Sequence, residues 1–240
     1  MTEVRRRKSG IPYAQKWFAR RTAFTDAFRV VAYYQFLGHR PGGPFFRHAF
    51  STILIDLQRD PDVILADMHK NVRGEIRRAE GEGLRWEVGV DPAEFAAFHN
   101  AFARERGIEG VDLPRLRSFG AAVLLTRAVA EGRTLAQHAY VVDLRESRAR
   151  FLYSSSGRFD GSSSALVGRS NRWCHWKDML YLREQGIRTY DLGGIAVGEG
   201  AAGVSGINDF KSRFGGTMVR EDHWLSPLYA LAIRIDKQGL

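Results

Sequence analysis

The sequence predicts an α/β fold, with a strand-rich partial subdomain at the N-terminal end. Three observations carry this reading. Short runs of β-branched and aromatic residues alternate with stretches whose apolar residues recur at helical spacing. The 240 residues are 44% hydrophobic and 12% aromatic, ample for a packed core. The last quarter then places a short strand, Tyr190-Asp191-Leu192-Gly193-Gly194-Ile195, before a glycine-rich stretch. A short helix comes next within Gly206-Ile207-Asn208-Asp209-Phe210-Lys211-Ser212-Arg213-Phe214-Gly215-Gly216, where Phe210 and Phe214 share a face.

The elements run in order along the chain. Residues 27–36 are rich in β-branched and aromatic side chains and read as a strand, which Pro41-Gly42-Gly43-Pro44 breaks. Residues 50–57 form a second. Strands without a covering helix must pack on later elements of the chain. Asp60 as N-cap and Pro61 at the first helical position open the clearest helix. Ile64, Leu65, Met68, Val72, Ile76 and Ala79 fall on one of its faces, and Gly81 or Gly83 ends it. Lys70, Arg73 and Arg77 line the opposite face, either as a solvated stripe or as a clamp for phosphates.

Residues 84–90 read as a strand. Asp91-Pro92 starts a helix with Glu94 in capping-box position and Phe95, Phe98 and Phe102 inward. A second helix is expected over 114–131, with Leu116, Phe119 and Val123 buried and Leu124 a further candidate. Strands over 134–142 and 149–155 flank a polar turn at 145–147. A long helix over 170–185, a strand over 187–192, the Lys211 helix and a last strand over 218–224 complete the chain. The expected division is a strand-rich piece over 1–60, a basic linker helix over 61–83, a main domain over 84–225 and a tail over 226–240.

Composition narrows the partners. Lys and Arg number 36 against 27 Asp and Glu, net +9, a balance that attracts polyanions without choosing among them. One cysteine, Cys174, excludes an internal disulfide and a Cys-rich zinc site. The seven histidines show no metal-ligand spacing, so no metal is expected; no cofactor is expected either. No apolar run approaches the roughly 20 residues of a membrane-spanning helix. Arg5-Arg6-Arg7-Lys8 has no apolar segment after it, unlike a signal peptide. The expectation is a cytoplasmic protein, with a homodimer left open.

Chemistry concentrates at the C-terminal motif. Gly193 and Gly194 allow close backbone approach at a strand end, and Lys211 adds an ammonium, an arrangement suited to a developing negative charge. The pattern resembles the "YDxGG…FKxxFGG" of the Fem-type aminoacyl-tRNA-dependent transferases. Asn71 to Gly83, N-x-R-x-x-I-R-x-A-x-x-x-G, is similar to the linker helix before their second domain. Tyr153 with Ser154-Ser155-Ser156 after it is similar to a cleft-lining stretch. The element order also resembles the GNAT (acetyltransferase-like) fold, a mixed sheet flanked by helices. Fem-type enzymes have two such domains. This chain is expected to hold the second, with a remnant of the first.

The resemblance implies an aminoacyltransferase that moves an amino acid from aminoacyl-tRNA to an amine acceptor, a peptidoglycan precursor or a biosynthetic peptide or amino sugar. It places Phe210 and Lys211 in catalysis and Arg73 and Arg77 near a phosphorylated substrate. Asp191 is a candidate proton acceptor, though an Asp before Gly-Gly also forms turns. A ribose hydroxyl of the tRNA is the other route for the proton. Gly168-Arg169-Ser170-Asn171-Arg172 precedes or opens a helix, where free N–H groups with Arg169 and Arg172 could hold a phosphate. It does not match the Q/R-x-x-G-x-G/A that cradles coenzyme A. An acyl-CoA or acyl-carrier-dependent N-acyltransferase is the alternative enzyme, and a non-catalytic nucleic-acid-binding module the alternative outside enzymes. Cys174 and His175 are adjacent on a helix, about 100° apart, and so form no dyad. His138 is a mid-strand residue, either a base or a core histidine.

Overall fold

A computed structural model of the chain describes residues 1–8, 10–157, 164–196 and 205–237. Most of the glycine-rich stretch (197–204) and Ser162 and Ser163 lie outside these. In chain order, strands β1 (Thr2–Lys8), β2 (Ile11–Trp17), β3 (Val30–Phe36) and β4 (Phe46–Asp56) come first. A 3-10 turn (Phe24–Phe28) separates β2 from β3. Helices α1 (Pro61–Asp67) and α2 (Lys70–Glu80) precede strand β5 (Arg85–Val88) and helices α3 (Pro92–Arg106) and α4 (Leu113–Ser118). Next come β6 (Val123–Ala130), β7 (Arg133–Asp143), β8 (Arg148–Ser156), α5 (Ser164–Glu184) and β9 (Thr189–Ile195). The chain closes with α6 (Ser205–Ser212), β10 (Thr217–Leu225) and α7 (Pro227–Lys237).

These elements form two compact units, Met1–Thr52 with Met218–Leu240, and Ile53–Thr217. In the first, β1 and β2 pair antiparallel, β2 and β3 parallel, and β3 and β10 antiparallel. Tyr33, Val31 and Phe36 of β3 are buried with Ala19. β1 is a strand despite its three consecutive arginines: Val4 is buried, and the Arg6 guanidinium stands over the Tyr13 ring of β2. Within the stretch expected as a tail, residues 227–237 form helix α7.

The second unit orders its strands β4-β9-β8-β7-β6-β5. β5 to β8 are antiparallel neighbours, whereas β8 and β9 run parallel. Alternation sorts the side chains. Ala128 of β6, Ala136 and Tyr140 of β7, and Tyr190 and Leu192 of β9 join the core under α2 and α5. Leu125 of β6 and Ala139 of β7 join Phe95 of α3 and Leu116 of α4 in a separate cluster. Helices therefore flank the mixed sheet.

Two helix expectations need correction. The stretch 61–80 is two helices: Met68 and His69 are extended, with ψ of 150° and 142°. Asp60 caps α1 by accepting from Asp62 N at 2.8 Å, and His69 Nδ1 caps α2 by accepting from Asn71 N at 3.3 Å. Ile64, Met68, Val72, Ile76 and Ala79 are buried as expected, because the apolar spacing continues through the break. The helix expected over 114–131 ends at Ser118. Gly120 has a positive φ, and residues 123–130 become β6, whose alternating pattern serves both neighbouring strands.

Candidate active site

Strand β8 pairs with β9 from Arg148↔Thr189 to Arg150↔Asp191. Past those positions, β9 carries Gly193 and Gly194, and α6 brings Lys211 to them. Lys211 Nζ donates to the Gly194 carbonyl at 2.6 Å, its one hydrogen bond among the described residues. An ammonium has three protons to donate. Burial removes water from this one, and the nearby Arg150 adds like charge, against the opposing pull of Asp191. Its pKa is lowered from the ordinary 10.5 to about 8.

Gly193 is dictated by its surroundings. Its φ is +73°, and a Cβ there would stand 2.8 Å from the Phe151 carbonyl oxygen and 3.7 Å from Lys211 Nζ. The Gly193 N–H, expected to face a substrate, instead donates to Asp191 Oδ1 at 2.8 Å. Asp191 is fully buried, and its Oδ2 accepts from Arg148 Nη2 at 2.6 Å and Nε at 3.1 Å. A carboxylate held by a guanidinium and a backbone amide is a poor proton acceptor. This pairing makes Asp191 the holder of the Gly193 turn.

Phe210 and Phe214 meet edge to face, centroids 5.2 Å apart. Phe214 is fully buried, while Phe210 remains half-buried with the Arg172 guanidinium 5.2 Å from its centre. Gly216, at φ +86°, packs so closely on β4 that a Cβ would meet the Leu54 carbonyl oxygen at 2.5 Å. The Phe-Gly-Gly end of the motif is thus an anchor. Asn208, not singled out from the sequence, bridges α6 to the end of β9. It accepts from Ala196 N at 3.2 Å and donates to Ala196 O at 2.6 Å. An Asn three residues before Lys211 on a short helix was the available signal.

The structure gathers Asp191, Gly193, Gly194, Phe210, Lys211 and Arg172 from the expected residues. It gives the others different surroundings. Arg73 turns back on α1, donating to Ala66 O at 2.7 Å and to Met68 O, where it satisfies carbonyls at a helix end. Arg77 is exposed on α2. Arg169 pairs with Glu82, Nη2 to Oε1 2.5 Å. Arg172, besides covering Phe210, has its Nε 2.8 Å from Glu75 Oε2 and donates from Nη1 to Gly168 O at 2.9 Å. Tyr153 packs against the α3–α4 cluster, edge-on to His99 at 5.4 Å.

Beneath Phe210 and Phe214 lies a polar network that the sequence did not disclose. Asp178 Oδ2 accepts from Tyr140 OH at 2.5 Å and pairs with His138 Nδ1 at 2.7 Å, and Oδ1 accepts from Trp86 Nε1 at 2.8 Å. Tyr190 OH is 2.8 Å from Tyr140 OH and 2.6 Å from His175 Nδ1. A carboxylate can only accept, which fixes the direction of this chain: His175 N–H to Tyr190, Tyr190 to Tyr140, Tyr140 to Asp178. Burial keeps both phenols protonated and pushes the His175 pKa well below its ordinary value, with His138, Lys211 and Arg172 adding to the shift. His175 Nε2 is left buried without a hydrogen-bond partner. The ring itself packs between His138 at 4.1 Å and Phe214 at 4.9 Å. His138 is therefore a core histidine. The burial of Cys174 raises its thiol pKa well above the ordinary value, against a nucleophilic role. His138, His175 and Asp178 each bring a ligand atom within 4.8 Å of the others. Both His138 nitrogens and both Asp178 oxygens are already hydrogen-bonded, so the trio is core structure as it stands.

No protein-family model matches the chain, and no curated protein matches it either. Solved structures do. FemX is 15% identical with a TM-score of 0.63, over 75% of this chain and 63% of FemX, so the match spans less than two thirds of that protein. A domain named as the C-terminal DUF2156 domain of a lysylphosphatidylglycerol synthetase from Agrobacterium fabrum is 14% identical with a TM-score of 0.57. That match covers 90% of this chain and 75% of the domain. L-PGS from Bacillus licheniformis is 12% identical with a TM-score of 0.56, covering 87% and 71%. Likeness at these identities establishes the fold, a GNAT-like mixed sheet flanked by helices. Among the described residues, no helix is long and apolar enough to cross a membrane.

Proposed function

We propose that the chain is an aminoacyltransferase, taking an amino acid from aminoacyl-tRNA to the amine of a peptide or nucleotide-linked acceptor. The observation that carries this reading is the desolvated Lys211 ammonium beside the Gly193–Gly194 strand end. The motif around it is the one that resembles Fem-type enzymes.

The reaction is downhill, from ester to amide. The amine attacks the ester carbonyl, a C–N bond forms, and the C–O bond to the tRNA ribose breaks. The amine's proton ends on the departing ribose oxygen, carried by the neighbouring ribose hydroxyl. What the protein supplies is alignment and a positive charge for the tetrahedral oxyanion. Lys211 turns its remaining N–H donors toward that oxygen, and Phe210 packs against the terminal nucleotide. Arg172 and the exposed Arg77 attract phosphates. Asp191, with Arg148, holds the turn that seats Lys211.

The test separates donors. Charged tRNA, acyl-CoA and acyl-carrier protein are each supplied with a set of amines, with and without ribonuclease, and products are weighed by mass spectrometry. The proposal expects an amide product from charged tRNA that ribonuclease abolishes. Product from the acyl thioesters alone would replace it with the N-acyltransferase reading. RNA binding without product from any donor would leave a nucleic-acid-binding module.

A further inference from the structure

Charge is divided very unevenly between the two units. Met1–Thr52 with Met218–Leu240 holds 13 Lys and Arg against 5 Asp and Glu, net +8. Ile53–Thr217 holds 23 against 22, net +1. Nearly all of the +9 therefore belongs to 75 of the 240 residues. The reaction proposed above uses residues of the other unit, so it does not account for this concentration.

The same unit leaves large apolar side chains in water. Phe24 is 70% exposed and Phe28 66%, the two rings in edge contact at 5.6 Å. A lone exposed apolar residue is ordinary, but a pair of touching, solvent-facing phenylalanines is not. The turn that carries them packs against α7. Tyr229 on α7 makes a hydrogen bond with Tyr34 at 3.0 Å, whereas Leu228 and Leu231, three apart, remain exposed.

The segment from Arg20 to Arg29 shows how the face is composed. Arg20, Arg21, Phe24, Phe28 and Arg29 are all exposed. Its one acid, Asp26, is buried and neutralised by Lys16 at 2.5 Å and by the Tyr33 hydroxyl. The segment thus presents aromatic rings and guanidiniums with no exposed carboxylate of its own.

We propose that this face docks on an anionic lipid bilayer. Aromatic side chains settle at the headgroup level of a membrane, and arginines around them pair with lipid phosphates. Each signal alone gives weak, reversible attachment, and the two together give stable attachment. RNA is the competing polyanion, since bases also stack on exposed rings. The exposed aliphatic Leu228 and Leu231 of α7, the helix this turn packs on, decide against it: they offer RNA neither a stacking surface nor a hydrogen bond, but they add buried apolar area in a bilayer interface.

Vesicle co-sedimentation tests the proposal. The full chain is mixed with vesicles of phosphatidylglycerol and phosphatidylcholine in equal parts, or of phosphatidylcholine alone. The protein is expected to pellet with the first and not the second, and to be released by high salt. Joint Phe24→Ser and Phe28→Ser substitution, at exposed positions that leave the circular dichroism spectrum unchanged, should weaken partition by about tenfold or more. Joint Arg21→Gln and Arg29→Gln should weaken binding to anionic vesicles only. Lys211→Ala should leave binding intact, which separates this proposal from the proposed reaction. Failure to pellet with anionic vesicles overturns the proposal, as does pelleting that the phenylalanine pair does not affect. Loss of tRNA binding in the Phe24/Phe28 variant, without vesicle binding by the parent chain, would make the face an RNA surface instead.

Discussion

The protonation of Lys211 can be tested before any substrate is in hand. Burial, with Arg150 reinforcing it and Asp191 opposing, brings its pKa to about 8. At pH 7 about nine ammoniums in ten then keep the proton, and at pH 9 only about one in ten. Carbon-13 dimethylation of the lysines, with Lys211→Met to identify the signal, gives the midpoint by NMR. It should fall near 8, and Arg150→Gln should raise it by removing a like charge. Stability carries the same information. Between pH 8 and 10.5 the unfolded chain still holds a proton that the folded chain has released. Stability relative to Lys211→Met therefore rises with pH across that window, by at most about 3 kcal/mol before solvent screening is allowed for. A midpoint near the ordinary lysine value, unmoved by Arg150→Gln, would refute the desolvated ammonium.

The buried network makes a separate prediction. Asp178→Ala strands donors on His138, Tyr140 and Trp86 and should cost about 3–5 kcal/mol in urea unfolding; a loss under about 1 kcal/mol would contradict the network. Gly193→Ala forces a Cβ against the Phe151 carbonyl at positive φ, and should lower stability by about 2–3 kcal/mol. Unchanged melting would show that the turn has more room than the geometry gives it. Asn208→Ala removes both bonds to Ala196, which should cost about 1 kcal/mol of stability yet slow transfer at least about tenfold, since α6 then loses its tie to β9. A transfer rate equal to the parent's would relieve Asn208 of that role.

The C-terminal motif was legible because its residues meet close in sequence. Phe210 and Lys211 share one short helix with Phe214 just past its end, and the glycines answer to local conformation and close approach. The buried face from Ile64 to Ala79 was legible from its spacing, but the break at Met68 and His69 was not. Continuous spacing cannot report an extended pair whose bonds go to Arg213 and to the Arg73 side chain. The misreading of 123–130 has a like cause: Leu116, Phe119 and Val123 fit a helical period, and only pairing with β5 and β7 decides for a strand. β1 was hidden by its arginines. The network of His138, Tyr140, His175, Asp178 and Tyr190 joins two strands to a helix, and no local pattern marks residues that meet only through topology. The role expected of Asp191 depended on an unseen partner, Arg148, forty-three positions earlier.

Lys211 as the charge that receives the oxyanion is best tested by single-turnover transfer from charged tRNA to the accepting amine, with tRNA affinity measured alongside. Lys211→Ala should slow amide formation by about 10²–10³-fold while binding barely changes, because the contact forms in the transition state. Equal rates for the parent and variant, or a loss confined to tRNA affinity, would contradict it.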